Sequence, residues 1–294
     1  FSHGKHLMSQ KPLAVSVEAA RRMCRSAEAR DLVFSVFENF RHTPETRHLR
    51  WLFDSDRGGR LQMILMGYVG AWWAPNRIVA ETPWRHQRDE AGGIALDLGV
   101  HFFDQIRHVA GEIRTVSAQT AVLEPRRVTI VGDGTTQSVD CDADDTFFAQ
   151  FETEHGVVGN MFASWAGHGG PTLVGSGSVY YGTRGRVSGS QVTFDDDSAD
   201  LALLYGREAP AERQKREFPL GLDDSFALSQ LDWLEAIRTH RQPETTGREG
   251  LHDLAAAFAI VESALAGGRV NVSEVLDGTL REYQAPIDER FGLI

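Results

Sequence analysis

A chain of 294 residues can build one large domain or two modest ones, and its 41% hydrophobic and 24% charged residues are ordinary for a globular protein. The net charge of −11 argues against a nucleic-acid partner, which needs a basic surface to neutralise phosphates. No stretch approaches the roughly 20 apolar residues that span a bilayer, so no membrane partner is expected either. The only two cysteines, Cys24 and Cys141, form no CxxC pair. That gives no support to a disulfide framework or a thiolate zinc site, and a reducing cytoplasm fits best. The first residues, Phe1-Ser2-His3-Gly4-Lys5, lack the layout of a secretory signal and an initiating methionine, so the natural beginning is expected to lie upstream. Lysines are scarce: Lys5, Lys11 and Lys215.

The first fifty residues read as strand, helix, strand, helix. His6 to Ser9 is a short, partly apolar run before Lys11-Pro12. Val15 to Ala29 has helical character with Ser16 as N-cap. Leu32 to Phe37 is β-branched and aromatic, as a strand requires, and Thr43-Pro44 opens a second helix as N-cap and first helical residue. This alternation predicts the end of a parallel sheet over residues 1–56. After Arg57-Gly58-Gly59-Arg60 the pattern changes. Leu61 to Val69 reads as a strand and Gly92-Gly93 opens a long helix ending near Gly111. From Arg114 to Asp195, short strands are broken by turns such as Gly132-Asp133-Gly134, His155-Gly156 and Gly182 to Gly185, which predicts a mostly antiparallel sheet. Two helices, Ser225 to His240 and Glu249 to Ala266, follow, the second stopped by Gly267-Gly268. Residues 57–294 are thus expected to form an α+β domain with a large open sheet.

The helix from Gly92 to Gly111 carries the densest chemistry. At about 100° per residue, Asp97, His101, Asp104 and His108 stack along one face, between two apolar stripes. A surface helix sets its charges opposite a single apolar face, so this stripe is expected to point into a cleft or a packed seam. An anionic Asp97 one turn from His101 would raise the proton affinity of the imidazole while burial would lower it, a balance suited to general acid/base work. The plain alternative is that Asp97–His101 and Asp104–His108 are structural pairs. A metal held by Asp97, His101 and Asp104 finds no other support in the sequence.

Taken together, several segments resemble the glucose–fructose oxidoreductase/inositol dehydrogenase (Gfo/Idh/MocA) family. They are Gly4-Lys5-His6 with Lys11-Pro12-Leu13-Ala14, Asn39-Phe40-Arg41, the Gly92 to His101 segment, His155 to Gly159, Gly182 to Gly185, and Gly247 to Leu254 with Ala259 to Ser263. The resemblance implies a Rossmann remnant followed by a substrate-binding and catalytic α+β domain, and an NAD or NADP cofactor. It also implies hydride transfer to or from a secondary hydroxyl of a sugar, glycoside or cyclitol. By the same resemblance Lys11 would offset the developing alkoxide, His101 would move the hydroxyl proton and Asp97 would orient the substrate. Gln10, Pro12, Asn39 and Arg41 would lie near the cofactor, and Gly92 and Gly93 would let the helix start approach a ligand. The open sheet would pair with a second copy to make a homo-oligomer.

Two departures qualify that reading. Gln10 stands where the family usually has glutamate, and the family's G-x-G-x-x-G phosphate loop belongs some 80–90 residues before Lys11, ahead of where this sequence begins. Other candidates are Trp84-Arg85, with an aromatic face and a guanidinium suited to a polyol, and Trp165 with His168, expected at a pocket rim. Trp72-Trp73 reads more as packing than as ligand contact. Gly175 and Gly177 are discounted as a phosphate loop because a strand follows them. Two other functions share the fold: a sugar- or dinucleotide-binding sensor or co-repressor without turnover, and redox-assisted glycoside cleavage.

Overall fold

The computed structural model describes residues 1–70, 76–130, 134–169 and 177–294. Trp72, Trp73, Gly175 and the Gly132-Asp133 turn therefore lie outside the described residues. The chain begins with β1 (Leu7–Gln10), α1 (Val17–Glu28), β2 (Phe34–Phe37), a 3-10 turn (Asn39–His42) and α2 (Pro44–Asp54). β1 and β2 pair in parallel, Leu7 opposite Phe34 and Gln10 opposite Phe37. The caps sit where the sequence places them. Ser16 accepts from Ala19 N at 3.2 Å, and Thr43 accepts from Thr46 N at 3.3 Å with Pro44 opening α2. β2 is closed on its other side by Thr245 and Thr246, while no described strand pairs with the outer edge of β1.

The rest is built on one large sheet. Its strands are β3 (Leu61–Val69), β4 (Ile113–Ala121), β7 (Thr146–Thr153), β8 (Val158–Ser164), β9 (Gly177–Gly182), β10 (Gly185–Ser188), β11 (Gln191–Phe194), β12 (Ser198–Asp200) and β13 (Val270–Asn271). They lie in the order β12-β11-β10-β9-β3-β8-β7-β4-β13. Every neighbouring pair is antiparallel except β3 with β8, which makes the sheet mixed but mostly antiparallel. β5 (Arg126–Ile130) and β6 (Thr136–Asp140) form a separate hairpin.

Period-two alternation decides which face is covered. Ile64, Met66, Phe147, Ala149, Phe151, Met161 and Ala163 point inward and are buried, while Leu65, Phe148 and Val158 stay exposed on the opposite face. Against the inner face lie α3 (Ile94–Asp97), α4 (Gly99–Ala110) and α8 (Gly247–Ala266). α8 is apolar almost all round, with Leu254 to Val261 at 2% exposure or less, because it packs between the large sheet, α4, α1 and β2. It joins the small parallel unit to the large sheet. The remaining helices, α5 (Leu201–Glu208), α6 (Ala211–Glu217), α7 (Ser225–Thr239), α9 (Val272–Asp277) and α10 (Ala285–Arg290), flank this frame. Among the described residues no helix is long and apolar enough to cross a membrane.

The long helix expected from Gly92 to Gly111 is two helices, separated at Leu98. Its start is set by the chain around it. Gly93 has φ +115, and a Cβ there would lie 2.3 Å from Asp144 Oδ1; a Cβ on Gly92 would lie 2.5 Å from the Trp84 carbonyl. These glycines therefore admit the protein's own backbone and the Asp144 carboxylate at the start of α3.

Candidate active site

Lys11 follows β1 and Glu38 follows β2, so both stand at the carboxyl ends of adjacent parallel strands, where open α/β sheets bind ligands. The Lys11 ammonium reaches into the start of the α3–α4 segment. Its Nζ donates to the Asp97 carbonyl at 2.7 Å and to Asp97 Oδ1 at 2.9 Å. Arg85 Nε approaches the other carboxylate oxygen of Asp97 at 3.3 Å. Burial pushes the Asp97 carboxyl up, but the Lys11 and Arg85 charges outweigh it and hold the group below the usual aspartate range. Asp97 is therefore an anion clasped between two cations.

His101 comes one turn later, at 5% exposure, and is close enough to act electrostatically on Asp97. It is not paired with Asp97. Its Nδ1 lies 2.6 Å from Oε1 of Glu38, and its ring stacks on Phe40 with centroids 4.1 Å apart and planes at 15°. Nε2 makes no hydrogen bond to a described residue and, unlike Nε2 of His42, is not a buried unpaired atom. Beside this group Trp84 is 39% exposed, with the Arg85 guanidinium 4.5 Å from its ring. Gln10 is exposed and folds back to accept from Lys11 N at 2.8 Å, and the Lys11-Pro12 peptide is cis. Lys11, Arg85, Asp97 and His101 thus come together, with Gln10, Pro12 and Trp84 beside them.

Other expected residues are elsewhere engaged. Arg41 is 4% exposed and spends its guanidinium on Asp104 at 2.8 Å and Glu249 at 2.8 Å, so it is not free to meet a cofactor. Asp104 is fully buried by that contact, and the Asp104–His108 pair does not form. Burial and the nearby Arg41, Arg50 and Arg47 charges push His108 down to about 2, so it stays neutral. Only Asp97 and His101 of the four-residue stripe belong to the site, because Arg41 draws Asp104 away. Asn39, in the 3-10 turn, is half-buried and its side chain makes no hydrogen bond to a described residue. Trp165 is 2% exposed and packs edge-on against His86, which places it in the core and not at a rim. His168 is largely exposed and pairs with Glu124 at 2.9 Å. Among the described residues no three His, Cys, Asp or Glu side chains are grouped to hold a metal ion.

Sequence reasoning missed Glu38, Glu249 and Asp253. Glu38 is 1% exposed, and a signal for it existed: an acidic residue immediately after a parallel strand. Asp253 and Glu249 lie on α8, where they meet Arg107 and Arg41. With Glu112 also bound to Arg107 and Asp104 to Arg41, four carboxyl groups surround two guanidinium groups, and Glu38 acts on Asp104 and Asp253 from close by. Burial, with the neighbouring acidic groups, pushes Asp104 and Asp253 up, while Arg41 and Arg107 remain cations.

Residues 57–272 match the family model described as the oxidoreductase family, C-terminal alpha/beta domain (GFO_IDH_MocA_C). The chain belongs to the Gfo/Idh/MocA oxidoreductase family. Similar curated members include levoglucosan dehydrogenase of Pseudarthrobacter phenanthrenivorans, 26% identical over 92% of this chain and 75% of the relative. Another is 1,5-anhydro-D-fructose reductase of Ensifer adhaerens, 26% identical over 90% of this chain and 72% of the relative. Among solved structures, levoglucosan dehydrogenase in complex with NADH and L-sorbose superposes with a TM-score of 0.74 at 23% identity, over 93% of this chain and 75% of that one. This Gfo/Idh/MocA chain therefore shares their fold across both its small parallel unit and its large sheet.

Proposed function

We propose that the protein is an NAD(P)-dependent oxidoreductase that moves a hydride between nicotinamide and a secondary hydroxyl or ketone of a sugar, glycoside or cyclitol. The observation that carries this reading is the joining of Lys11 to Asp97, one turn before His101, at the carboxyl ends of β1 and β2. The named relatives act on sugars, and one, scyllo-inositol 2-dehydrogenase of Bacillus subtilis, on a cyclitol. Their names also supply the cofactor class, NADH in one solved complex and NADP(+) in the inositol enzyme.

The residues present fit a nicotinamide. Lys11-Pro12 lies at the strand ends, beside an open sheet edge and a fixed ammonium. A bound nicotinamide would supply the hydride acceptor or donor. His101 Nε2 takes the hydroxyl proton as the carbonyl forms, and gives it back in the reverse direction. Lys11 donates a hydrogen bond to the same oxygen and lowers the energy of its developing negative charge. Asp97 orients the hydroxyl and holds Lys11 in place. Trp84 offers an apolar face to the ring carbons and Arg85 a donor fork to neighbouring hydroxyls. Residues 1–56 serve as the last part of a dinucleotide-binding unit whose earlier strands would join the outer edge of β1. The exposed sheet face bearing Leu65, Phe148 and Val158 serves to pair copies of the chain.

The test is turnover in the complete gene product, read from nicotinamide absorbance across a panel of sugars and cyclitols. His101→Ala and Lys11→Ala should each lower kcat by roughly 10²–10⁴-fold with the fold intact. Near-normal turnover in both variants rules the assignment out. Stoichiometric cofactor reduction separates a dehydrogenase from a binder or from redox-assisted bond cleavage, which give none.

A further inference from the structure

We infer that Glu38 and Phe40 are positioning residues that fix the tautomer and the plane of His101, so that its proton-accepting nitrogen is Nε2. This deepens the proposed function and rests on it for the role of His101. Oε1 of Glu38 is an acceptor by its other contact: it receives the Phe40 backbone N–H at 3.1 Å. The imidazole nitrogen 2.6 Å from that same oxygen is Nδ1, so the proton between them belongs on Nδ1. The neutral ring then carries its lone pair on Nε2, the nitrogen with no partner among the described residues.

Both members are held so tightly that the geometry has little freedom. Glu38 is 1% and His101 5% exposed. The carboxylate caps the turn that carries Phe40, and the Phe40 ring lies parallel to the imidazole at 4.1 Å. One short segment, residues 38–40, therefore supplies both the acceptor that sets the tautomer and the surface that sets the ring plane. Other charged groups near the ring have partners of their own. Asp97 is taken by Lys11 and Arg85, and Asp104 by Arg41, which leaves Glu38 as the group bonded to Nδ1. The carboxylate keeps its hold on the Nδ1 proton while Nε2 takes up another, with no atom of Glu38 touching substrate.

The experiment joins a spectroscopic reading to kinetics. Long-range ¹H–¹⁵N correlation on histidine-labelled protein, under conditions where the ring is neutral, should show His101 protonated on Nδ1. In Glu38→Ala the ring should move toward the Nε2–H form, and kcat should fall by roughly 10²–10⁴-fold with KM little changed. Glu38→Gln keeps an acceptor oxygen and should restore the tautomer and part of kcat. Phe40→Leu keeps the carboxylate and should keep the tautomer while lowering kcat by about tenfold, which guards against Glu38→Ala failing to fold. An Nε2–H ring in the unmodified protein, or a folded Glu38→Ala with kcat within about twofold of normal, overturns the inference. If His101→Ala abolishes turnover and Glu38→Ala does not, the positioning role fails while the proposed function stands. If no sugar or cyclitol is turned over, the proposed function fails, and the tautomer measurement still decides the Glu38–His101 contact.

Discussion

Replacing Lys11 by methionine keeps most of the side-chain volume but removes an ammonium bonded to Asp97 at 2.7 and 2.9 Å. The two side chains are 16% and 14% exposed, so solvent screens the pair only weakly. A hydrogen bond to a charged group contributes about 1.5–3 kcal/mol, and stripping one partner from a fully buried pair costs about 3–5 kcal/mol. Arg85 still faces Asp97 at 3.3 Å, so the expected loss for Lys11→Met is about 2–3 kcal/mol near neutral pH. At about 2 °C per kcal/mol for a chain of this size, that is a fall of about 4–6 °C in Tm.

The pH dependence of this loss follows from Asp97. In the native protein its carboxyl is held below the ordinary value of about 3.9. The stability it contributes is therefore present above that value and is lost only as pH falls through the depressed one. In the variant, burial is opposed by Arg85 and His101 without the larger Lys11 contribution, so the carboxyl takes up a proton more readily and the variant recovers stability as pH falls. The gap should be widest at about pH 7.5 and narrower at about pH 4.5, measured by urea unfolding of both proteins. A gap under about 0.5 kcal/mol, or one of equal size at both pH values, refutes the argument that Asp97 is an anion clasped by Lys11.

Three further outcomes follow from the same geometry. Gly93→Ala forces a Cβ toward the Asp144 carboxylate at a positive φ, and should cost about 2–5 kcal/mol by denaturant unfolding; an unchanged midpoint would show that the start of α3 yields easily. Burial pushes Asp144 up to about 7, against the Ala95 N–H that favours its anion. A raised folded value means that its stabilisation is present below about pH 4 and lost as pH rises through about 7, so the native protein should lose up to about 4 kcal/mol relative to Asp144→Asn between those limits. Parallel stability curves for the two proteins would contradict this. Trp165→Ala should cost about 3–5 kcal/mol, as a large core deletion does, with KM for any substrate within about twofold of normal. A large rise in KM with full stability would return Trp165 to the pocket rim.

Much of the local structure was legible from the chain because its causes are local. Ser16 and Thr43 cap helices through neighbours three residues away, Gly267 ends α8 with φ +68, and β3 spans Leu61–Val69 as its apolar run predicts. The motif residues of the site were legible too, since Lys11, Asp97 and His101 stand in segments that resemble a known family. The partners were not. Periodicity placed Asp104 and His108 on the His101 face, but a helical wheel carries no information on what a distant segment brings to that face. Arg41 claimed Asp104, and the expected pairs along the helix gave way to contacts across the fold.

By itself, then, the sequence determined the first strands and helices, their capping, the mostly antiparallel character of the large sheet and three of the side chains that meet at the candidate site. Tertiary structure decided their ionic surroundings. Lys11 meets Asp97 across 86 positions, and His101 meets Glu38 across 63. The physical reason is range: caps and alternation depend on neighbours a few residues away, whereas an ion pair depends on which segments α8 and the parallel strands hold together. A carboxylate's partner is chosen by that packing, because once buried it must find a cation or donor wherever the fold supplies one.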